Sequence, residues 1–368
     1  MKKIAMFTSL AIAFSLMLSC TDNGGTDIPV NDWPWQQETE TPEDEGASEA
    51  PETPEDNEGD DVKVEPNKAI VDAGWENVGD DYGELPEHLS VYKSPSKLEG
   101  KAAIAYIAVA DLTKGDWDVW SVKSDLTYKT SDSYKTPAQV YEATKAPIIT
   151  NAGYFYYSGG NYTSSLAVSE GKLLAYNINY ASEDWVSIYY PTRAALVEKK
   201  NGEIDACWTY VNGSGNHYTY QIPADNSYDE APLQVPSATF PEKGVKFEAQ
   251  TAIGGGPALI NKGEFANTWK AEMFDVGGVN PTTNQPRTAV GVTADSKMIL
   301  FVCEGRNMTE GIAGLTTEDV ANVLLDLGCV EAINLDGGGS SCMLVNGKET
   351  IKVSDGKQRA VASTVMLK

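Results

Sequence analysis

Short apolar runs separated by glycine, asparagine and proline dominate the chain after about residue 100. Runs of this length with turn residues between them are typical of β-strands. Six of them stand out: residues 102–112, 146–155, 187–199, 287–293, 298–305 and 331–335. The Asn-Gly pairs that begin at Asn201 and Asn346 predict hairpin turns. The pattern therefore indicates a fold built mainly of strands.

Two segments have the spacing of a helix instead. In residues 316–328 the apolar positions recur on one face: Val320, Val323, Leu324 and Leu327. Thr316 or Thr317 can cap this helix at its start, and Gly328 suits its end. Residues 136–145 predict a second, shorter helix. Many strands with few helices predict an α+β fold, with the helices packed on one large mixed sheet.

The first residues are typical of an export signal. Lys2 and Lys3 precede an apolar stretch that is too short to span a membrane, which predicts a signal peptide over residues 1–19. Cys20 follows a small residue and resembles a bacterial lipobox, which implies lipidation of its thiol. This predicts a lipid-anchored protein of a bacterial envelope, periplasmic or surface-exposed. The alternative is an ordinary signal peptide with an incidental cysteine.

A strongly acidic segment follows the signal. Residues 21–62 contain fifteen acids and no lysine or arginine. Such a stretch cannot bury enough apolar surface to fold, so we predict a disordered tether over residues 20–65. A specific acidic binding tail is the alternative. The remaining residues, 66–368, are then expected to form a single domain.

The charge of the chain argues against nucleic acid as a partner. The formal net charge is −25, and residues 63–368 still carry about −12 once the signal lysines and the linker acids are removed. No basic patch is visible that could neutralise phosphates along a nucleic acid.

Cysteine and histidine usage excludes several kinds of site. The four cysteines after Cys20 show no C-x-x-C spacing, so neither a zinc site nor a redox motif is indicated: Cys207, Cys303, Cys329 and Cys342. A disulfide such as Cys303 with Cys329 is chemically allowed outside the cytoplasm. The only histidines are His88 and His217, which makes a Ser-His-Asp hydrolase or a zinc hydrolase improbable.

The stretch NLDGGGSS, residues 334–341, places an amide, a carboxylate and two hydroxyl groups around three consecutive glycines. An apolar strand-like segment follows it, not a helix, so a Rossmann or phosphate-binding loop is not indicated. Alternation along the preceding strand places Asn334 and Asp336 on one face. Three glycines leave bare amides that can form an anion-binding nest, to which Ser340 and Ser341 add hydroxyl donors. The alternatives are a tight turn with a surface aspartate, or calcium or magnesium held by Asp336 and Asn334.

Six motifs taken together resemble the phosphodiester glycosidase family. They occur in order as NAGYF (151–155), GGGPALI (254–260), RTAVGV (287–292), ILFVCEGR (299–306), the segment 314–341 that ends in NLDGGGSS, and QRAVASTVML (358–367). The resemblance covers about residues 100–368. It implies an enzyme that cleaves a sugar from a sugar-1-phosphodiester and leaves a phosphomonoester. Glu304 stands where the family often has aspartate, and Ala152 stands where glycine is common. Because of these two differences, the resemblance does not specify the identity of the substrate.

This chemistry suggests a role for each candidate residue. Asp336 is expected to act as base or nucleophile, with Glu304 as the second candidate carboxylate. Phosphate binding is assigned to guanidinium groups and to the glycine turn: Arg287, Arg306, Arg359, Gly337, Gly338, Gly339 and Ser340. Contacts with the sugar are assigned to three residues: Asn151, Tyr154 and Phe155. No cofactor is firmly indicated.

Each assignment has a plainer alternative. Arg287 could pair with a surface acid, and Arg306 could pair with Glu304. Asn151 could be only a turn former, and Phe155 a core residue. The rival for the whole chain is a non-catalytic, glycan-binding surface lipoprotein, which its many aromatic residues would also suit.

Overall fold

The structure, a computed structural model, describes residues 66–157, 159–275 and 277–368. The predicted signal peptide (1–19), Cys20 and the acidic tether (20–65) lie outside the described residues. No helix in the described part is both long and apolar enough to cross a membrane.

Helices are few and short. They are α1 (Pro66–Asp72), α2 (Pro137–Thr144) and α3 (Thr317–Asp326). The strands are β1 (Glu76–Asn77), β2 (Leu89–Lys93), β3 (Lys97–Leu98), β4 (Lys101–Ala102), β5 (Ala105–Asp111), β6 (Trp117–Ser121), β7 (Lys129–Thr130), β8 (Ile148–Asn151), β9 (Phe155–Tyr156), β10 (Asn161–Thr163), β11 (Ala167–Ser169), β12 (Lys172–Ala175), β13 (Arg193–Glu198), β14 (Ile204–Val211), β15 (His217–Tyr220), β16 (Val245–Lys246), β17 (Thr251–Gly254), β18 (Ala258–Asn261), β19 (Glu264–Phe265), β20 (Arg287–Thr293), β21 (Lys297–Cys303), β22 (Cys329–Asn334), β23 (Met343–Val345), β24 (Lys348–Glu349) and β25 (Ser363–Leu367).

The strands form three main sheets. The eight-stranded sheet has the order β1-β2-β5-β21-β20-β22-β18-β19, the seven-stranded sheet β12-β11-β17-β13-β14-β15-β16, and the five-stranded sheet β24-β23-β8-β25-β6. The pairings of these sheets are antiparallel throughout the described residues. The prediction of one large mixed sheet is therefore wrong in two respects. Parallel neighbours need long crossovers, usually helical, and this chain has few helices to supply them.

Several local predictions are confirmed. α3 begins after Thr316, whose side chain accepts a hydrogen bond from the amide of Asp319 and completes a capping box. The turn at Asn201 joins β13 to β14. The turn at Asn346 joins β23 to β24, and both of its residues have positive φ, 48° and 79° at Gly347, as the Asn-Gly hairpin requires.

The largest apolar cluster lies where the three main sheets face one another. It takes Val290 and Ile333 from the eight-stranded sheet, Leu196 and Trp208 from the seven-stranded sheet, and Val365 from the five-stranded sheet. α3 covers the other face of the eight-stranded sheet in a second cluster. Burial on both faces explains why β20 and β21 appear in the sequence as continuous apolar runs without alternation.

The four cysteines of this domain are buried and free, so Cys303 and Cys329 do not form the disulfide that the sequence allowed.

The glycine turn of NLDGGGSS connects two different sheets. β22 belongs to the eight-stranded sheet and β23 to the five-stranded sheet, and a short 3₁₀ helix at Gly338–Ser340 lies between them. The predicted order of strand, turn and strand is confirmed. Because the two strands do not pair, the turn is a crossing point between sheets and not a hairpin.

Candidate functional site

Asp336 lies directly after β22, at this crossing point. Ile333 and Leu335 are buried in the largest core cluster, whereas Asn334 and Asp336 lie on the other face, as the alternation predicted. Part of the Asp336 residue is exposed to solvent, whereas its carboxyl group is largely shielded from water.

The backbone of Asp336 is fixed by the end of β8. Its amide donates to the carbonyl of Ala152 at 2.8 Å, and its carbonyl accepts from Asn151 Nδ2 at 2.6 Å. Asn151 Oδ1 in turn accepts from Thr288 Oγ1 at 2.8 Å and from the amide of Cys342 at 3.0 Å. Asn151 is completely buried, so its hydrogen bonds position Asp336 instead of lining a cleft.

The carboxyl group of Asp336 titrates near neutrality. Burial raises its pKa to about 6, although the Ser340 hydroxyl, the Arg359 guanidinium, the Gly337 amide and Arg306 all act to lower the pKa. A carboxyl group with such a pKa can exchange protons at physiological pH, which is a common property of catalytic acids and bases.

Two guanidinium groups lie against the glycine turn. A Cβ placed on Gly338, where φ is +58°, would be 2.7 Å from Arg306 Nη2. A Cβ on Gly339 would be 2.1 Å from Arg359 Nη2. A Cβ at either position would force the tip of the neighbouring arginine to move away. The glycines therefore allow both arginines to approach the backbone beside Asp336.

Arg359 is held by hydrogen bonds on two sides. Its Nε and Nη2 donate to Asp355 Oδ2 at 3.0 and 2.6 Å, and its Nη1 donates to Ser340 Oγ at 3.3 Å. Because Ser340 also hydrogen-bonds the Asp336 carboxylate, its hydroxyl links the cation to the candidate catalytic group.

Arg306 is more exposed than Arg359. Its Nε donates to Gln285 Oε1 at 3.0 Å, and its Nη1 lies 3.5 Å from Ser354 Oγ. Both partners are neutral, and Arg306 forms no ion pair within the described part of the chain. The alternative that Arg306 pairs with Glu304 is therefore wrong, and its charge is available to a ligand.

The predicted anion nest of bare amides is only partly open. The Gly337 amide hydrogen-bonds the carboxylate of Asp336 itself. The Gly338 amide donates to the carbonyl of Pro286 at 2.9 Å. With these two amides already used, anion binding here depends mainly on the guanidinium groups.

Arg287 is not part of this group of cations. Only 2% of its surface is exposed, and its guanidinium donates to four backbone carbonyls at 2.7 to 2.9 Å, those of Leu315, Val279, Asn280 and Thr283. The prediction that Arg287 binds phosphate is therefore wrong, as is the alternative of a surface ion pair. Arg287 instead ties the segment before β20 to the body of the domain.

Of the residues assigned to the sugar, Tyr154 is close to Asp336, whereas Phe155 packs in a buried aromatic cluster. The Tyr154 hydroxyl donates to the carbonyl of Gly256 at 2.7 Å and accepts from Asn334 Nδ2 at 2.9 Å. Burial raises the pKa of Tyr154, and the negative charge of Asp336 adds to this effect. Phe155 is buried with its ring centroid 5.0 Å from that of Tyr134, so its assignment to the pocket is wrong.

Glu304 is buried, with 4% of its surface exposed. Its Oε1 accepts from the amide of Lys352 at 3.0 Å, whereas Oε2 has no hydrogen-bond partner among the described residues. A buried, unpaired carboxylate oxygen is costly, which is consistent with a functional role.

Metal binding at Asp336 stays a prediction. The described residues contain no group of three or more His, Cys, Asp or Glu side chains arranged to hold a metal ion.

Sequence reasoning missed the residues that hold the arginines. Gln285, Ser354 and Asp355 are exposed or half-buried polar residues outside the motifs. The spacing of Asp355 and Arg359, four residues apart, was the one available signal. Arg193, Glu272 and Phe274, described below, carried no signal of function.

Comparison with known proteins identifies the family to which this domain is similar. A family model described as phosphodiester glycosidase matches residues 144–368. A stretch of 120 residues is 38% identical to an uncharacterised SPbeta prophage-derived protein of Bacillus subtilis, and covers 30% of this chain and 18% of that protein. A stretch of 97 residues is 34% identical to bovine N-acetylglucosamine-1-phosphodiester α-N-acetylglucosaminidase, and covers 26% of this chain and 18% of the enzyme. The chain thus matches under a fifth of the length of these curated relatives.

Two solved structures share the fold. The catalytic domain of the zebrafish N-acetylglucosamine-1-phosphodiester α-N-acetylglucosaminidase, auto-inhibited by its pro-peptide, superposes with a TM-score of 0.50 at 18% identity, over 80% of this chain and 87% of that one. A hypothetical protein from Synechocystis gives a TM-score of 0.50 at 15% identity, over 77% and 64% of the two chains.

Replacement of Arg287 is expected to destabilise the domain. Arg287→Met keeps an apolar stem but leaves four carbonyls without their donor, so the free energy of unfolding should fall by about 3–5 kcal/mol. Urea denaturation followed by circular dichroism measures this change. Arg306→Gln is the matched control and should change stability by less than about 0.5 kcal/mol. Equal stability of the two variants would contradict the structural role of Arg287.

Proposed function

The chain belongs to the phosphodiester glycosidase family, and we propose that it hydrolyses a sugar-1-phosphodiester of the N-acetylglucosamine-1-phosphate type. The products would be the free sugar and a phosphomonoester on the acceptor. The observation that carries this proposal is the Asp336 carboxyl group, which titrates near neutrality beside two guanidinium groups packed on bare glycines.

The reaction replaces one bond to the anomeric carbon by another. Water supplies the oxygen that forms the new bond, the bond from the anomeric carbon to the phosphate oxygen breaks, and the phosphomonoester leaves with the bonding electrons. The transition state resembles an oxocarbenium ion, which a carboxylate stabilises. We assign this role to Asp336, as base or nucleophile.

The leaving group determines what else the site must supply. Phosphate leaves readily without full protonation, so the site needs to stabilise its negative charge. Arg306 suits this task because it forms no ion pair with a carboxylate of the described residues. Arg359 adds a second cation, although Asp355 offsets part of its charge.

The other candidates take supporting roles. Glu304 is the second candidate carboxylate, because its buried Oε2 has no hydrogen-bond partner among the described residues. We assign Tyr154 to contact with the sugar. Asn151 positions Asp336 by donating a hydrogen bond to the backbone carbonyl of Asp336.

The location proposed for this activity is a bacterial envelope. An anchor at Cys20 and the tether over residues 20–65 would hold the domain near a membrane surface, where phosphate-linked glycans are the substrates expected. These segments support the proposal through their sequence alone.

Removal of the Asp336 charge is expected to abolish turnover. Asp336→Asn keeps the size and the backbone contacts, so the protein should fold while release of sugar from an N-acetylglucosamine-1-phosphodiester falls by at least about 10³-fold. A coupled assay for free sugar measures this loss. Asp355→Asn serves as a nearby control of the same type and should reduce the rate much less. Wild-type binding without release would favour the glycan-binding alternative, and normal turnover by Asp336→Asn would remove Asp336 from the mechanism.

The pH dependence of the reaction should report the environment of Asp336. If the ionised carboxylate is active, kcat/KM rises with pH through the free-enzyme pKa of about 6. The Ser340 hydroxyl lowers this pKa, so Ser340→Ala should move the acidic limb upward by about one pH unit. Ser341→Ala is the control because that hydroxyl contacts Thr288 instead. A shift to lower pH, or equal shifts in both variants, would contradict the assignment.

A further inference from the structure

Arg193, the first residue of β13, has a buried guanidinium, and two of its three nitrogens have no hydrogen-bond acceptor among the described residues. The residue is 7% exposed, and its Nε and Nη1 have no partner among the described residues. The guanidinium carbon lies 4.2 Å from the centroid of the Phe274 ring, which is a cation–π contact. The aromatic ring offsets part of the positive charge. It does not accept hydrogen bonds from the N–H groups, which point outward in the plane of the guanidinium. Buried N–H groups without acceptors are rare because each costs free energy.

Two carboxylates, Glu272 and Asp275, act on Arg193 through their charge, but neither supplies the missing hydrogen-bond acceptors. Glu272 is fully buried and accepts four hydrogen bonds, from Trp208 Nε1 (3.1 Å), Thr268 Oγ1 (2.6 Å) and the amides of Ala194 and Ala258 (both 2.8 Å). Oε1 accepts three of these bonds and Oε2 accepts one. Glu272 attracts Arg193 through its charge, but Arg193 Nε and Nη1 donate to neither of its oxygens. Asp275 is exposed and forms no ion pair with Arg193 within the described residues.

Phe274 and Tyr154 connect Arg193 to the catalytic carboxylate. The rings of Tyr154 and Phe274 have centroids 5.5 Å apart. The Tyr154 hydroxyl lies 3.3 Å from the carbonyl of Leu335, the residue before Asp336. Arg193, Phe274 and Tyr154 thus form one continuous series of contacts that reaches the residue before Asp336. Arg306 and Arg359, in contrast, approach Asp336 across the glycine turn.

Glycine is required where this series is most crowded. A Cβ on Gly256 would lie 2.4 Å from the Phe274 ring and 2.6 Å from Glu272 Oε2. The glycine triplet at residues 254–256, which precedes the one at 337–339, therefore lets Phe274 and Glu272 come close to the end of the strand that carries Asn334. The arrangement that places Phe274 beneath Arg193 is thus built into the backbone.

We infer that Arg193 binds an oxyanion of the substrate, either a phosphate oxygen or a carboxylate carried by the sugar, in the same site as Asp336. This inference rests on the proposed function and extends it by adding a second anion-binding position. The oxyanion accepts hydrogen bonds from the unpaired N–H groups, and the Tyr154 and Phe274 rings contact the apolar face of the sugar. A substrate that reaches both Arg193 and the arginines beside the glycine turn carries one negative charge near each of them.

Binding of two small anions to the full chain tests this inference without reference to turnover. Inorganic phosphate and D-glucuronate represent the two sources of the oxyanion, and D-glucose is the neutral control. Isothermal titration calorimetry compares the wild type with Arg193→Gln and with Arg306→Gln. Loss of charge-assisted hydrogen bonds should weaken at least one anion by about 10- to 100-fold in Arg193→Gln, while glucose binding is unchanged.

Each outcome of this experiment decides the inference. Weaker binding of phosphate alone assigns Arg193 to the phosphodiester, and weaker binding of glucuronate alone assigns it to an acidic sugar. If neither anion binds the wild type, or if Arg193→Gln binds both within twofold of the wild type, the inference is wrong. If Arg193→Gln does not fold, Arg193→Lys replaces it, because lysine keeps the cation over Phe274 but loses the fork of donors. Arg193→Lys should then bind the anion several-fold more weakly.

These binding results are independent of the proposed reaction. Failure of the wild type to release sugar would remove the hydrolytic function and leave an anion-binding role for Arg193 intact. Unchanged binding by the Arg193 variants would remove this role even if the wild type is an active hydrolase.

Discussion

The domain depends on a close approach of bare backbone where its three main sheets meet. The amide of Gly256 donates to the carbonyl of Asn334 at 2.7 Å, and a Cβ on Gly255 would lie 2.4 Å from that same carbonyl oxygen. The amide of Gly255 donates to Ala194 in the seven-stranded sheet. Asp336, two residues beyond Asn334, is bonded to the end of β8 in the five-stranded sheet. Side chains are excluded from this junction, and the backbone of the candidate catalytic residue is consequently held from several directions.

The electrostatics of Asp336 are a balance between burial and nearby donors. Burial alone favours the neutral acid, whereas Ser340, Gly337 and the two arginines favour the carboxylate. The result is a pKa raised to about 6, and not the strongly depressed value that two adjacent cations would otherwise produce. Asp355 contributes to this balance because it partly neutralises Arg359. The site thus keeps cations for an anionic ligand and a carboxyl group that still titrates near neutrality.

Predictions from the sequence succeeded where the signal was local. The cap of α3, the two Asn-Gly turns and the alternation from Ile333 to Asp336 each depend on residues within a few positions of one another. The failures involve partners that are distant along the chain. Arg287 looked like a phosphate ligand because nothing nearby shows that the carbonyls of 279–283 and Leu315 converge on it. The glycine turn was correctly identified as important, but its main role is to admit arginine side chains and not to present its own amides. Arg193 lies in an ordinary strand, so only the folded structure shows that its Nε and Nη1 have no partner among the described residues.

The segment between β24 and β25, residues 350–362, contributes several of the polar groups that surround the candidate site. It supplies the Lys352 amide that holds Glu304, the Ser354 hydroxyl beside Arg306, and both members of the Asp355–Arg359 pair. The sheets and the glycine junction hold Asp336 independently of these contacts. The reactive carboxyl group and the charges that surround it are therefore encoded in separate parts of the chain. A change within residues 350–362 would therefore alter the charges beside Asp336 while leaving the backbone contacts that hold this residue unchanged.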